Sequence, residues 1–187
     1  MRYELDNDRS RLDIHASSSV HPIHTAAHVE GWIEATVRAD GSVDTGKDIS
    51  GAVQLDLGGM RSGNPLIDRE SERRLDIDRY PTVQGELNAL GPTERPDEYT
   101  AAGTLTFHGV THDISGVLRV EQDGGGLSVV GETTIDITDF NVKPPSLLVL
   151  KVHKDVRVEL HAVAVAGGRP SQPHSSSPNG APRSPRP

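Results

Sequence analysis

The sequence predicts an all-β fold: a closed eight-stranded antiparallel barrel with one short capping helix and a disordered C-terminal tail. Three observations predict it. Apolar and polar residues alternate with period two in segment after segment, broken by clusters of Gly, Asp and Pro. A single stretch carries helix signals. Aromatic residues make up only 3% of the chain, so whatever lies inside is aliphatic or small.

The strands follow in order. Leu12, Ile14 and Ala16 share a face, with Asp13 and His15 opposite. Val29, Gly31, Ile33, Ala35 and Val37 repeat the pattern against Glu30, Glu34 and Arg38. Val53, Leu55 and Leu57 form the third segment, Val83, Gly85 and Leu87 the fourth, and Leu105 with Phe107 the fifth. Ile114 to Val120 and, after the turn at Asp123 to Gly126, Leu127 to Ile137 supply two more. Val156, Val158, Leu160 and Ala162 alternate with charged residues and His161 in the last.

The helix is predicted from Pro65 to Leu75. Asn64 is a suitable N-cap, Pro65 fits the first turn where its missing N–H costs nothing, and Asp68 and Glu70 favour the positive end of the dipole. Arg73 and Arg74 lie near the other end, and Pro81 blocks continuation. Its apolar edge, Leu66, Ile67 and Leu75, is thin, so the helix should cap an opening. A sheet with one weak helix must bury its apolar face on itself, and closure also removes unpaired edges. Eight strands enclose a space that is either filled by side chains or holds one small ligand. Inward Ala16, Ala35, Gly85, Gly103, Gly116 and Gly131 favour the second outcome.

Residues 1–166 are read as one domain and residues 167–187 as a disordered tail holding six of the 13 prolines. Nineteen basic against 27 acidic side chains give a net charge of -8, which disfavours nucleic acid. There is no cysteine, which removes thiolate chemistry and disulfides. No run approaches a membrane span and the polar start "RYELDNDRSR" lacks a signal-peptide core, so a cytoplasmic, non-spanning protein is expected, with homodimerisation left open.

Four stretches carry a family likeness: "YELDNDRSRLDIHA", "NPLIDRESERRLDIDRYPTVQGEL", "GTLTFHGVTHDISGVLRV" and "TIDITDFNVKPPSLLVLKVHKDVRVEL". Together, over roughly residues 2 to 165, the chain resembles the YceI-like proteins. The resemblance implies a lipocalin-like barrel that holds a long apolar chain, such as a polyisoprenoid, an isoprenoid quinone or an acyl lipid, with no catalytic residues and no cofactor. Many relatives carry a secretory signal.

The expected apolar lining is Ile14, Ile33, Leu55, Leu105, Phe107, Ile114, Leu118, Val129, Ile135, Ile137, Val156 and Val158. Phe140 is expected at the floor or gate, and Leu147 and Leu148, in the apolar run after Pro144 and Pro145, at the rim. Arg61, Arg73 or Arg74 would meet a polar or pyrophosphate head group. His108 and His112 are expected outside, at a hairpin tip. His15, His21, His24 and His28 form a denser cluster that suggests a Zn or Ni site as an alternative function, although a solvent-facing polar strand is the simpler account. A barrel acting only through protein contacts is the third reading. Ser17 to Ser19 lack a nucleophile elbow, and Asp136 and Asp139 suit capping better than acid–base work.

Overall fold

The alternating segments pair in chain order around a single antiparallel barrel. The computed structural model describes residues 1–19, 22–144, 146–147 and 150–167. Its strands are β1 (Arg2–Leu5), β2 (Arg11–Ser18), β3 (Ile23–Glu34), β4 (Ser50–Asp56), β5 (Thr82–Pro92), β6 (Glu98–Phe107), β7 (Val110–Asp123), β8 (Gly126–Asp136), β9 (Ser146–Leu147) and β10 (Leu150–Ala166). Helix α1 spans Pro65–Leu75, and 3₁₀ turns follow β4 and β8.

Closure comes from β10, which pairs with β8 on one side and with β2 and β1 on the other. β1 and β2 are one strand interrupted once. Both run antiparallel to β10 and to β3, β1 against Ile33 and Ala166, β2 against His28 and His161. Across the interruption Asp6 Oδ1 accepts from the N–H groups of Asp8 and Arg9. Ser10, 1% exposed, bridges the gap in the ladder by accepting from Val163 N at 3.1 Å and donating to Val163 O. Counting β1 and β2 together, and with β9 a short partner of β10, the barrel has eight strands.

The two ends differ. At one, Tyr3, Val43, Leu90, Tyr99 and Leu127 pack into a closed core. The chain from Ala35 to Ile49 folds across this end, held by a bridge between Val37 and Val43. The Val43 N–H donates to the Tyr99 hydroxyl at 2.8 Å, and that hydroxyl donates to Pro96 O. Ala35 and Val37, which extend the alternation of the second strand in the sequence, therefore belong to this closing segment; β3 stops at Glu34.

At the other end lie α1, both 3₁₀ turns and the β6–β7 hairpin. Asn64 caps α1 by accepting from Leu66 N at 3.0 Å, and Asp76 ends it in the left-handed region at φ 47°. Ile67 faces inward at 6% exposure, while Leu66 points to solvent at 66%, so the apolar edge is narrower than its sequence suggests. The β6–β7 turn is the two-residue type with positive φ at both positions, His108 at 50° and Gly109 at 76°. A Cβ on Gly109 would stand 2.7 Å from Tyr80 Cε1, so glycine is needed for space as well as for φ.

That turn sets the phase of the return strand. Phe107 pairs with Val110 and Leu105 with His112, and directly opposed residues share a face. His112 consequently shares the parity of the inward face, yet at the hairpin tip it is exposed, as expected, and does not border the cavity inside the barrel. It closes the barrel end, with Nε2 2.9 Å from Asp139 O and its ring edge-on to Phe140 at 5.2 Å. His108 is half-buried, its ring 4.6 Å from that of Tyr80. Asp136 caps the second 3₁₀ turn by accepting from Thr138 N, and the Lys154 ammonium beside it, with Thr138, holds its carboxyl at about 2.

Candidate functional site

Inside the barrel, between the plugged end and α1, is a cavity of about 400 Å³. Strand alternation builds its wall. From the expected lining, Ile14, Ile33, Leu55, Leu105, Phe107, Ile114, Leu118, Val129, Ile135, Ile137, Val156 and Val158 all border it. Phe140 does not: it is 2% exposed and packs against Phe107, with ring centroids 5.6 Å apart, as support for the wall. Leu148 and the side chain of Leu147 lie outside the described residues.

Small residues create the space. Gly51, Gly85, Gly103, Gly116 and Gly131 face the cavity from five of the wall positions, together with Ala16, Ala101 and Ala162. The outward residues flanking these glycines, such as Glu86 and Glu132, also border the cavity. Their alternation directs their side chains out, so it is their backbone that the absent Cβ atoms uncover. Thr133 is the polar side chain in the inward row of β8, and its hydroxyl donates to Ser115 O at 2.9 Å. The deep wall thus offers hydrocarbon and satisfied polar groups, a surface that water wets poorly.

The mouth is at the α1 end, where Arg61 and Glu72 are exposed and still border the cavity. Met60, Leu75 and Ile77 form its apolar lip, and Arg61, Ser62, Asp68, Ser71 and Glu72 its polar one. Asp68 accepts from the Ser62 hydroxyl at 2.6 Å and from its N–H at 2.8 Å, and these bonds hold its carboxyl below the usual range. The Arg61 guanidinium donates to the carbonyls of Gly58 and Met60 and stands 3.7 Å from Glu72 Oε1. Of the three arginines expected at a head group, Arg61 borders the cavity. Arg73 and Arg74 do not border it and instead hold Glu70, whose carboxyl they lower to about 2. An arginine at i+3 or i+4 from a glutamate is drawn to it along the helix surface.

The histidines divide. His15 and His24 are cross-strand partners on the outer face, their Nδ1 atoms 2.6 Å apart, one ring donating and the other accepting. His28 is four residues further along β3 with Nδ1 near Asn7 O, and His21 lies outside the described residues. Among the described residues no three His, Asp or Glu side chains form a group that could hold a metal ion. His15, His24 and His28 do not border the cavity.

A family model for the YceI-like domain matches residues 3–164, which is most of the chain. The chain belongs to the YceI-like family. Solved structures with the same fold include BcnA of Burkholderia cenocepacia, at 17% identity and TM-score 0.71, covering 86% of this chain and 99% of that one. A polyisoprenoid-binding domain from Saccharophagus degradans, implicated in plant cell wall breakdown, matches at 14% identity and TM-score 0.64, covering 88% and 98%. The YceI protein of Campylobacter jejuni matches at 13% identity and TM-score 0.57, covering 74% and 82%. No curated protein is significantly similar to this YceI-like chain. Among its described residues no helix is long and apolar enough to cross a membrane.

Proposed function

We propose that this YceI-like barrel is a noncatalytic carrier or sequestering protein for one long apolar molecule, an isoprenoid or acyl lipid, held in the barrel interior. The observation that carries the reading is the cavity of about 400 Å³ walled by aliphatic side chains and open beside α1. The Saccharophagus relative's polyisoprenoid binding supports it. Catalysis would need a convergent set of unsatisfied polar groups in the cavity. The polar side chains on its inward face are Thr25 and Thr133, both bonded to backbone, and at the rim Asp68 is answered by Ser62 and Glu72 by Arg61, which leaves the Ser71 hydroxyl without a convergent partner set.

The size of the cavity bounds the affinity. Taking roughly 30 Å³ per methylene-sized unit, the volume of a water in liquid, about a dozen units fit. Their burial contributes about 10 kcal/mol, of which association removes at least about 4 kcal/mol, leaving a dissociation constant in the tens of micromolar. Straight-chain primary alcohols of increasing length, competing with a solvatochromic dye, should show Kd falling about fourfold per added methylene. The fall should level off once the cavity is full. A flat series, with no dependence on chain length, contradicts an apolar binding tube.

A further inference from the structure

We propose that the mouth selects for ligands with an uncharged polar end and discriminates against phosphate and carboxylate ends; this rests on the apolar-ligand reading above. Among the described residues the charged side chains on the rim are Arg61, Asp68 and Glu72, one cation against two anions. An anionic head group entering here would meet a net negative ring at the edge of a low-dielectric cavity, where charges are screened less than in open water.

The Arg61 guanidinium is not available to offset that ring. Arg61 has its guanidinium on the carbonyls of Gly58 and Met60, at 3.1 and 2.6 Å, and Glu72 beside it at 3.7 Å. To grip a phosphate it would have to leave these partners and leave Glu72 unanswered at the same rim. Asp68 is fixed by two bonds from Ser62 and stays ionised well below neutral pH. Of the arginines of α1, Arg73 and Arg74 are engaged by Glu70, Arg69 is exposed, and none of the three borders the cavity.

What remains for a ligand is neutral hydrogen bonding. Ser71, half-buried on the cavity side of α1, has a hydroxyl that makes no hydrogen bond among the described residues and can donate to or accept from an alcohol, carbonyl or ester oxygen. A phosphate at the same point needs several donors, and the rim supplies this hydroxyl beside two carboxylates. The geometry therefore fits an apolar chain lying in the barrel with a hydroxyl or carbonyl at the mouth.

The test compares geranylgeraniol with geranylgeranyl monophosphate, both below their aggregation limits, as competitors of a neutral solvatochromic dye on the full chain at low salt and neutral pH. The alcohol should bind at least about tenfold more tightly, a difference of about 1.4 kcal/mol. In the isosteric double variant Asp68→Asn with Glu72→Gln, circular dichroism should be unchanged and the preference should shrink to less than about threefold. Equal binding, or tighter binding of the phosphate, overturns this inference and leaves the carrier reading standing. A tenfold preference unaltered in the double variant overturns the assignment to the rim charges. Displacement by neither ligand overturns both.

Discussion

Val158→Phe should weaken binding of a cavity-filling alcohol about a hundredfold while leaving the fold intact. Val158 sits near the middle of β10, opposite Ile14 of β2 and Thr133 of β8, and its side chain borders the cavity. A phenyl ring there adds about four carbon-sized units to the lumen and displaces the same amount of ligand, a loss of about 3 kcal/mol. Overpacking, the usual cost of enlarging a core residue, does not apply where the added atoms enter empty space. Phenylalanine also brings no N–H that would go unpaired, as tryptophan would. Val130, 41% exposed on the outer face of β8, supplies the control: Val130→Phe should leave binding unchanged. Equal binding by both variants and the parent would place the ligand somewhere other than the barrel interior.

The largest effect on stability is expected at Gly103. A Cβ there would lie 1.8 Å from the backbone oxygen of Glu86 and 3.2 Å from Leu87 Cα, and backbone cannot step aside as a side chain can. The cause is local. β5 carries an extra residue between Leu87 and Ala89, and Gly103 pairs with Leu87 at the edge of that bulge, where the two strands crowd. Gly103→Ala should cost about 3 kcal/mol or more in denaturant unfolding. Gly131→Ala is the comparison that separates crowding by backbone from crowding by side chain. Its Cβ meets Leu118 Cδ2 at 2.5 Å, the far end of a flexible side chain beside the cavity, and Leu118 can turn into that space. A cost below about 1 kcal/mol is expected for it. Similar costs for the two substitutions would show that the bulge is not what excludes a methyl group at residue 103.

Much of the wall was legible from alternation because the side-chain period of a strand is a local property. Ile14, Leu55, Leu118 and Val158 needed no partner to be assigned a face. Small residues at inward positions likewise announced unfilled volume. His112 shows where strand parity stops deciding exposure. It shares parity with Ile114, so alternation along β7 alone places it inward, whereas its polarity and nearness to a turn suggest the exterior, and the structure leaves it exposed at the barrel end. What no local pattern gives is its partner, Asp139 O, 27 residues later in the chain.

Other features depend on contacts that no local pattern encodes. Ser10 looks like an ordinary turn residue, and its burial follows from both its bonds reaching Val163. Asn64, Pro65 and the terminal arginines placed α1 correctly along the chain. They did not say which of its faces would meet the barrel. That orientation, set by packing of Ile67 and Leu75 over the mouth, brings Asp68, Ser71 and Glu72 to the cavity and turns Arg73 and Arg74 toward Glu70. The expected head-group residues and the actual rim therefore share only Arg61.

Native mass spectrometry of the full chain, purified without detergent and then extracted with organic solvent, asks whether the barrel holds an apolar ligand. A barrel that carries an apolar ligand should show a discrete mass increment that survives gentle ionisation, appears in the extract as an apolar compound, and is restored to stripped protein by added geranylgeraniol. Protein that arrives at its bare sequence mass and takes up no added isoprenoid or long-chain alcohol would contradict the carrier function.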